Sequence, residues 1–243
     1  MCFVGVYDSG IGGLTTLFAL KKVFDNLNFF YLADTKSNPL GTKTREEIVA
    51  SVQNGIDILK RHTAFQIVAC NTASTVVRPN DAFLLKPDLK NLDPKTTLLL
   101  CTPATEKALK LQEKGYLTAD TKHLASMVET TANLSFENRD ISIFNTLEKP
   151  MKNLTENKMK SHQIDRIYLG CSHYLFFKSV LEKLYPDVEI IDGNKSLENR
   201  LKARKIANVG QGEITFHFTL KDESEKYRWL LEKMSECPDI LDI

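Results

Sequence analysis

The sequence predicts an α/β protein built from two units of similar architecture, each with a mainly parallel β-sheet. Short apolar, β-branched segments alternate along the chain with longer segments of helical periodicity. The same alternation starts again near the middle of the chain. Turns rich in glycine, cysteine and hydroxyl residues follow the strands of both halves. This order is typical of parallel sheets whose strands are connected by helices.

The first unit follows from the segments before residue 95. The predicted strands are residues 3–7, 28–32 and 65–69, and the predicted helices are residues 14–24 and 44–60. Thr44 can cap the second helix, and Glu46 and Glu47 fall in its first turn, where carboxylates are favourable. Residues 77–95 contain three prolines and no clear strand pattern, so we interpret them as the crossover to the second unit.

The second unit repeats the pattern. Its predicted strands are residues 97–100, 164–169 and 188–191, and its predicted helices are residues 104–114 and 172–184. A final strand at residues 214–218 and a helix at residues 223–234 are interpreted as a return to the first unit. We therefore expect one domain from residues 1–94 with 205–243, and another from residues 95–204.

Composition excludes several classes of function. The chain has 42% hydrophobic and 26% charged residues and a formal charge of +1, which gives no support for nucleic-acid binding. No apolar run approaches the roughly 20 residues of a membrane helix, and the start of the chain does not resemble a signal peptide. The five cysteines form no CxxC pair, and the histidines show no metal-ligand spacing, so we expect neither a disulfide framework nor a metal site. These observations predict a cytoplasmic protein, and a homodimer is compatible with the sequence.

Chemically active side chains follow three of the predicted strands. Asp8, Cys70 and Cys171 each come directly after a strand and before a helix. Sites in parallel α/β sheets form at these carboxyl ends, and helix N-termini favour carboxylate ligands and lower the pKa of a thiol. A strand-end cysteine is most often only a small buried hydrophobe, and an aspartate there is often a helix cap. Those readings explain poorly why two cysteines stand at matching places in two matching units.

Four motifs together resemble the glutamate racemase family of the aspartate/glutamate racemase superfamily. They are DSGIGG at residues 8–13, ADTKSNPLGTKT at 33–44, VACNTAS at 68–74 and LGCSHY at 169–174. The resemblance covers nearly the whole chain. It implies two pseudo-symmetric α/β domains with an interdomain active site, a small-molecule substrate, no cofactor, and production of D-glutamate for peptidoglycan.

The resemblance also implies which residues act. Cys70 and Cys171 would be the acid and base on opposite faces of the substrate α-carbon. From the residues beside them we expect Asp8 to assist Cys70 and His173 to assist Cys171. A carboxylate of the family's second domain is matched, on a short local similarity, by Glu129. The implied substrate-binding positions are Asp8, Ser9, Leu40, Gly41, Asn71, Thr72, Ser172 and His173.

Departures from the family pattern keep alternatives open. Leu40 stands where the family commonly has Tyr, Ser172 replaces Thr, and Leu175 replaces a frequent Pro. His173 favours glutamate, because aspartate racemases usually carry Glu there. The alternatives are a racemase of aspartate or a related dicarboxylate, and a non-catalytic amino-acid binding protein with the same fold. A thiol redox protein and a pyridoxal enzyme have less support, since neither a CxxC pair nor a distinctive lysine context is present.

Overall fold

Two parallel sheets form the framework of the protein, as the sequence predicts. The computed structural model describes residues 3–77 and 82–241. The first sheet contains β1 (Phe3–Asp8), β2 (Asn28–Ala33), β3 (Phe65–Val68), β4 (Ala82–Leu84) and β9 (Ile214–Phe218). The second contains β5 (Thr97–Cys101), β6 (Leu117–Thr118), β7 (Arg166–Gly170) and β8 (Glu189–Ile191). Every strand pair in both sheets is parallel.

The strand orders show that the two units are pseudo-symmetric. The first sheet has the order β4-β3-β1-β2-β9, and the second, read from its other edge, has the order β8-β7-β5-β6. The first four strands of each unit therefore occupy equivalent places, with β3 matching β7 and β1 matching β5. Strand β9 extends the first sheet, so the chain returns to its first unit as expected. The exact domain boundaries stay a prediction.

The helices cover the sheets and connect their strands. They are α1 (Gly13–Val23), α2 (Arg45–His62), α3 (Asn71–Val76), α4 (Pro103–Leu109), α5 (Leu124–Asn138), α6 (Glu148–Ser161), α7 (Lys178–Leu184), α8 (Asn194–Ala203) and α9 (Ser224–Glu236). Short 3₁₀ helices span Leu40–Thr42, Ile141–Leu147 and Ser172–Phe177. None of the helices within residues 3–77 and 82–241 has the length and apolar character needed to cross a bilayer.

Local sequence explains where the best-defined helix begins. Thr44 accepts a hydrogen bond from the Glu47 backbone N–H, and the Glu47 carboxylate accepts one from the Thr44 N–H. This capping box satisfies two N–H groups that the helix itself cannot bond. Along α2, Ile48, Val52 and Leu59 form the buried stripe that packs on the first sheet.

A continuous apolar core joins the two units. Leu17 on α1, Leu98 on β5 and Leu169 on β7 belong to one cluster of buried side chains that includes residues of both sheets. A separate cluster covers the other face of the first sheet and includes Tyr7 and Cys70. The two sheets therefore share one buried apolar core.

Three sequence expectations need correction. The proline-rich crossover contains a strand, β4, that was not expected; Pro79 lies outside the described residues. Helix α4 ends at Leu109 and not at residue 114, because Lys110 adopts a left-handed conformation with φ of 54°. The helix predicted at residues 172–184 begins as a 3₁₀ helix and becomes α-helical only at Lys178.

Candidate active site

The two cysteines lie at equivalent strand ends. Cys70 follows β3 and caps α3, whereas Cys171 follows β7 and precedes the 3₁₀ helix Ser172–Phe177. Asp8 is the last residue of β1. The residue-level exposed fractions are 6% for Cys70, 5% for Cys171, 0% for Asp8 and 3% for His173. The structure therefore places the predicted acid–base residues inside the protein, away from bulk water.

Hydrogen bonds join the two units at this place. The Ser172 hydroxyl of the second unit donates to Asp8 Oδ2 at 2.9 Å, and the Gly10 N–H donates to Asp8 Oδ1 at 2.9 Å. The hydroxyls of Thr72 and Thr102 share a hydrogen bond of 2.7 Å. The carboxyl ends of the two sheets therefore meet each other, and the predicted residues of both units come together there.

Glycine is required at residue 12 by this close approach. A Cβ atom at Gly12 would lie 2.5 Å from both His173 Nδ1 and Ser172 Oγ. Any side chain at this position would push the second unit away from the DSGIGG turn. The turn thus forms a contact surface for the GCSH motif. The glycine pattern in the sequence did not indicate this contact.

The environment of Cys70 is apolar and negatively charged. Burial raises the pKa of the Cys70 thiol well above its usual value, and the Asp8 carboxylate raises it further. The N–H groups of Ala73 and Thr72 at the start of α3 act in the opposite direction but are outweighed. The expectation of a lowered net pKa for the Cys70 thiol is therefore wrong. A charge on Cys171 also raises the pKa of Cys70, so the two sulfurs lie within electrostatic reach of each other.

The environment of Cys171 contains a histidine and a carboxylate. His173 Nε2 lies 2.8 Å from Glu129 Oε1. Burial lowers the pKa of His173, but hydrogen bonds with Cys171 and Glu129, together with their negative charges, raise it well above its usual value. Burial likewise acts to raise the pKa of Glu129, yet His173, the Ile11 N–H and Lys226 bring it below its usual value. The imidazolium and the carboxylate therefore stabilise each other at neutral pH.

Glu129 lies at the centre of the contacts on this side. It extends from α5, and its Oε1 accepts hydrogen bonds from the Ile11 N–H at 3.0 Å and from Asn38 Nδ2 at 2.7 Å, beside His173. The Glu129 side chain is 17% exposed. The local sequence gave only a weak indication of this residue, because it stands within a helix and follows no strand. Asn38 was not indicated at all.

Asp8 has a pKa above its usual value. Burial is the main cause, and it outweighs the positive charge of His173 and the hydrogen bonds donated by Gly10 and Ser172. Asp8 therefore interacts with groups of both units. It is bonded to the second unit through Ser172 and acts electrostatically on Cys70.

The remaining predicted residues surround the thiols. Asn71 Nδ2 donates to the Leu85 carbonyl at 3.1 Å, whereas Asn71 Oδ1 is buried and has no hydrogen-bond partner among the described residues. The Ser9 hydroxyl donates to Asn38 Oδ1 at 3.5 Å. Buried polar atoms are normally paired, so Asn71 Oδ1 is a candidate acceptor for a ligand.

Leu40 and Gly41 have different surroundings. Leu40 is 1% exposed and belongs to the apolar cluster that contains Tyr7 and Cys70. Gly41 packs on Thr102 of the second unit, where an added Cβ would lie 2.6 Å from Thr102 Cγ2. Leu40 therefore contributes packing, and Gly41 allows the loop to approach the opposite unit closely.

No group of three or more His, Cys, Asp or Glu side chains within residues 3–77 and 82–241 has an arrangement that could hold a metal ion. The site is instead composed of two thiols, an aspartate on one side, and a histidine with a glutamate on the other. Such groups can accept and donate protons, and polar side chains around them can bind a small charged molecule.

Comparison with known proteins agrees with this arrangement. No family model matches the sequence. The chain is 32% identical over 257 residues to a glutamate racemase of Campylobacter concisus, covering 96% of this chain and 94% of the relative. It is 31% identical over 249 residues to a glutamate racemase of Leptospira interrogans, covering 90% and 95% of the two chains.

Solved structures show the same fold. The glutamate racemase of Campylobacter jejuni superposes with a TM-score of 0.74 at 24% identity, covering 94% of this chain and 98% of that one. The glutamate racemase of Aquifex pyrophilus superposes with a TM-score of 0.65 at 26% identity, covering 95% and 93%. With the sequence relatives, the paired strand-end cysteines and the shared topology in agreement, this chain belongs to the glutamate racemase family.

Proposed function

We propose that the protein interconverts L-glutamate and D-glutamate with two thiols that act on opposite faces of the α-carbon. The observation that carries the proposal is the placement of Cys70 and Cys171. They follow equivalent strands of two sheets whose carboxyl ends meet, and a charge on Cys171 acts on the Cys70 thiol. Family membership supports the choice of glutamate as substrate.

The reaction explains why two thiols are needed. A single base that removes the α-proton returns a proton mainly to the same face, which restores the original enantiomer. When one sulfur takes the proton and a second sulfur donates from the other face, the configuration inverts and no net proton is consumed. Thiols suit this task because their usual pKa, about 8.5, makes both protonation states accessible near neutral pH.

The two environments suggest a resting state. Cys70 has a raised pKa and rests as a thiol that can donate a proton. On the other side His173, which is hydrogen-bonded to Cys171 and has a raised pKa, places a positive charge beside the sulfur that we assign to accept the α-proton of one enantiomer. After one turnover the protonation states of the sulfurs are exchanged, which prepares the site for the other enantiomer.

Substrate binding follows from the polar groups near the thiols. The unpartnered Asn71 Oδ1 is suited to accept a hydrogen bond from the substrate ammonium group. The hydroxyls of Ser9, Thr72 and Ser172, with backbone N–H groups near Gly41, are suited to bind the two carboxylates. Because the thiols are nearly inaccessible, we expect the two units to separate when substrate enters and to close around it. Closure strengthens electrostatic interactions with the developing carbanion.

The wider role rests on the family resemblance. We propose that the protein works in the cytoplasm of a bacterium, where D-glutamate enters peptidoglycan. We also propose that the active site lies between two domains, one formed by residues 1–94 with 205–243 and the other by residues 95–204.

A circular-dichroism assay tests the proposed function. Purified protein is mixed with L-glutamate or D-glutamate, and the signal of each solution is followed in time; aspartate enantiomers are assayed in parallel. We expect both glutamate signals to decay to zero and aspartate to react much more slowly. Thermal stabilisation by glutamate without turnover would instead indicate a binding protein, and faster decay with aspartate would indicate a different substrate.

A further inference from the structure

Asn38 connects the first unit to the acid–base groups of the second. It lies in the loop between β2 and the 3₁₀ helix Leu40–Thr42. Its Nδ2 donates to Glu129 Oε1 at 2.7 Å, and its Oδ1 accepts from the Ser9 hydroxyl at 3.5 Å. The amide therefore joins a loop of the first unit to the carboxylate that contacts His173.

The hydrogen bond from Asn38 to Glu129 belongs to a network, because other groups contact the same carboxylate oxygen. One carboxylate oxygen, Oε1, interacts with Ile11 N–H, Asn38 Nδ2 and His173 Nε2. Two of these partners come from the first unit, and together they fix the direction in which the carboxylate meets the imidazole. Gly10 leaves room for this arrangement, since an added Cβ would overlap Glu129 Oε1 and lie 2.6 Å from Asn38 Nδ2.

The end of this loop is held by contacts to both units. Leu40 is buried in the apolar cluster of the first unit, which also contains Cys70. Two positions earlier, Asn38 reaches across to the second unit. A separation of the units that admits substrate must break the Asn38–Glu129 bond, and closure must form it again.

We propose that Asn38 is a positioning residue, whose amide holds Glu129 against His173 when the two units are closed. This inference rests on the proposed function, because the step it serves is proton transfer at Cys171. Asn38 acts through Glu129 and is assigned no proton transfer of its own.

The charged surroundings of this group come from several elements. His173 is faced by Cys171, Asp8 and Glu129, and Glu129 is also faced by Lys226 and Tyr227 of α9. The Asn38 amide carries no charge, and leucine has a side chain of similar size. Asn38→Leu therefore removes the side-chain hydrogen bonds and leaves the net charge of the site unchanged.

The first test measures the protonation of His173 by NMR. The His173 signal is identified by its absence in His173→Gln, and its pKa is measured in the parent protein, in Asn38→Leu and in the control Ser37→Ala, which alters the neighbouring loop residue. We expect Asn38→Leu to lower the pKa of His173 by about one unit, because Glu129 is no longer held against it, and Ser37→Ala to leave it unchanged. An unchanged pKa in a folded Asn38→Leu would overturn the proposal.

The second test measures racemisation. We expect Asn38→Leu to lower kcat about 10-fold, the scale carried by one hydrogen bond to a charged group, with KM changed much less. Asn38→Asp keeps the shape but places a second carboxylate against Glu129, so it should lose more activity than Asn38→Leu. Parent-like activity of Asn38→Asp would also refute the assignment.

A double-variant cycle shows whether Asn38 acts through Glu129. We expect Asn38→Leu to have little further effect on kcat in a Glu129→Gln background; losses that multiply in full would contradict the proposal.

If the parent protein fails to racemise glutamate, the proposed function fails. The NMR titration, which needs no turnover, still decides the role of Asn38.

Discussion

The two cysteines occupy the same place in two matching sheets, yet their surroundings differ in charge. Cys70 lies among apolar side chains with the Asp8 carboxylate nearby, and its pKa is raised. Cys171 has His173 beside it, held in its charged form by Glu129. The repeated topology supplies two symmetric positions, whereas the residues around them place a carboxylate beside Cys70 and a positively charged imidazole beside Cys171.

This difference shows how a symmetric fold can begin an asymmetric proton transfer. If both thiols had identical environments, nothing would decide which sulfur is protonated and which is not. Replacing either cysteine, or a charged side chain beside it, tests whether the two thiol environments differ in this way.

The largest expected effect comes from removing either sulfur. Cys70→Ser and Cys171→Ser should each lower racemisation by about 1,000-fold or more, because a serine hydroxyl is a far weaker acid and base near neutral pH. The matched control is Cys237→Ser, which alters a half-buried thiol outside the site. Circular dichroism with both glutamate enantiomers measures the rates. Racemisation close to the parental rate in either active-site variant would refute the two-thiol assignment.

Removal of the imidazole should have the next largest effect. We expect His173→Gln to lower kcat/KM about 100-fold, within the usual scale of acid–base assistance. Because the equilibrium constant between enantiomers is one, the loss must be equal for L-glutamate and D-glutamate. His217→Gln changes a histidine of β9 and should leave kcat/KM within about 2-fold of the parent, as is usual for substitutions away from the reacting groups. Equal effects of the two substitutions would argue against a special role for His173.

The His173–Glu129 pair should also appear in the pH dependence of stability. Glu129 has a lowered pKa, so its contribution is complete above its unfolded pKa near 4.5 and is lost as the pH falls through the folded value. His173 has a raised pKa, so its contribution is complete below its unfolded pKa near 6.5 and is lost as the pH rises through the folded value.

Glu129→Gln should therefore lower the free energy of unfolding most between about pH 4.5 and 6.5, by about 3 kcal/mol, because it removes one partner of a buried ion pair. Denaturant titrations at several pH values measure this loss. Glu113→Gln, which alters an exposed carboxylate paired with Lys110, is the control and should show almost no effect. A pH-independent loss in Glu129→Gln would indicate that the pair is not ionised.

The smallest expected effect concerns the charge beside Cys70. The Asp8 carboxylate raises the pKa of Cys70, so Asp8→Asn should increase the alkylation rate of Cys70 several-fold near pH 8. Mass spectrometry of the Cys70 peptide after iodoacetamide treatment measures this rate, with the buried Cys101 as an internal reference for local opening. Slower alkylation in Asp8→Asn would mean that Asp8 does not act on Cys70 through its charge.

Sequence patterns predicted the parts of the fold that depend on local periodicity. The sequence predicted strand β9 and its return to the first sheet. It also predicted the Thr44 cap and the strand ends that carry Cys70 and Cys171. Strand β4 was missed because it has only three residues in a proline-rich segment. Its place depends on pairing with β3, which is a long-range contact.

The site was harder to predict where it depends on contacts between the units. Glu129 and Asn38 are 91 positions apart and follow no strand-end pattern, so only the folded chain shows that they meet. The pKa of Cys70 was predicted in the wrong direction, because a helix N-terminus is visible in the sequence and the degree of burial is not. Local sequence therefore indicates the junction residues that follow strands, such as Cys70 and Cys171, and not those that depend on a contact from the other unit, such as Asn38.

Hydrogen exchange at the substrate α-carbon tests the central claim most directly. Each single-cysteine variant is incubated with L-glutamate or D-glutamate in deuterated water, and α-deuterium incorporation is measured by mass spectrometry. If the sulfurs act on opposite faces, Cys70→Ser should exchange one enantiomer without inverting it, and Cys171→Ser should exchange only the other. Exchange of the same enantiomer by both variants, while the parent protein racemises glutamate, would contradict the account.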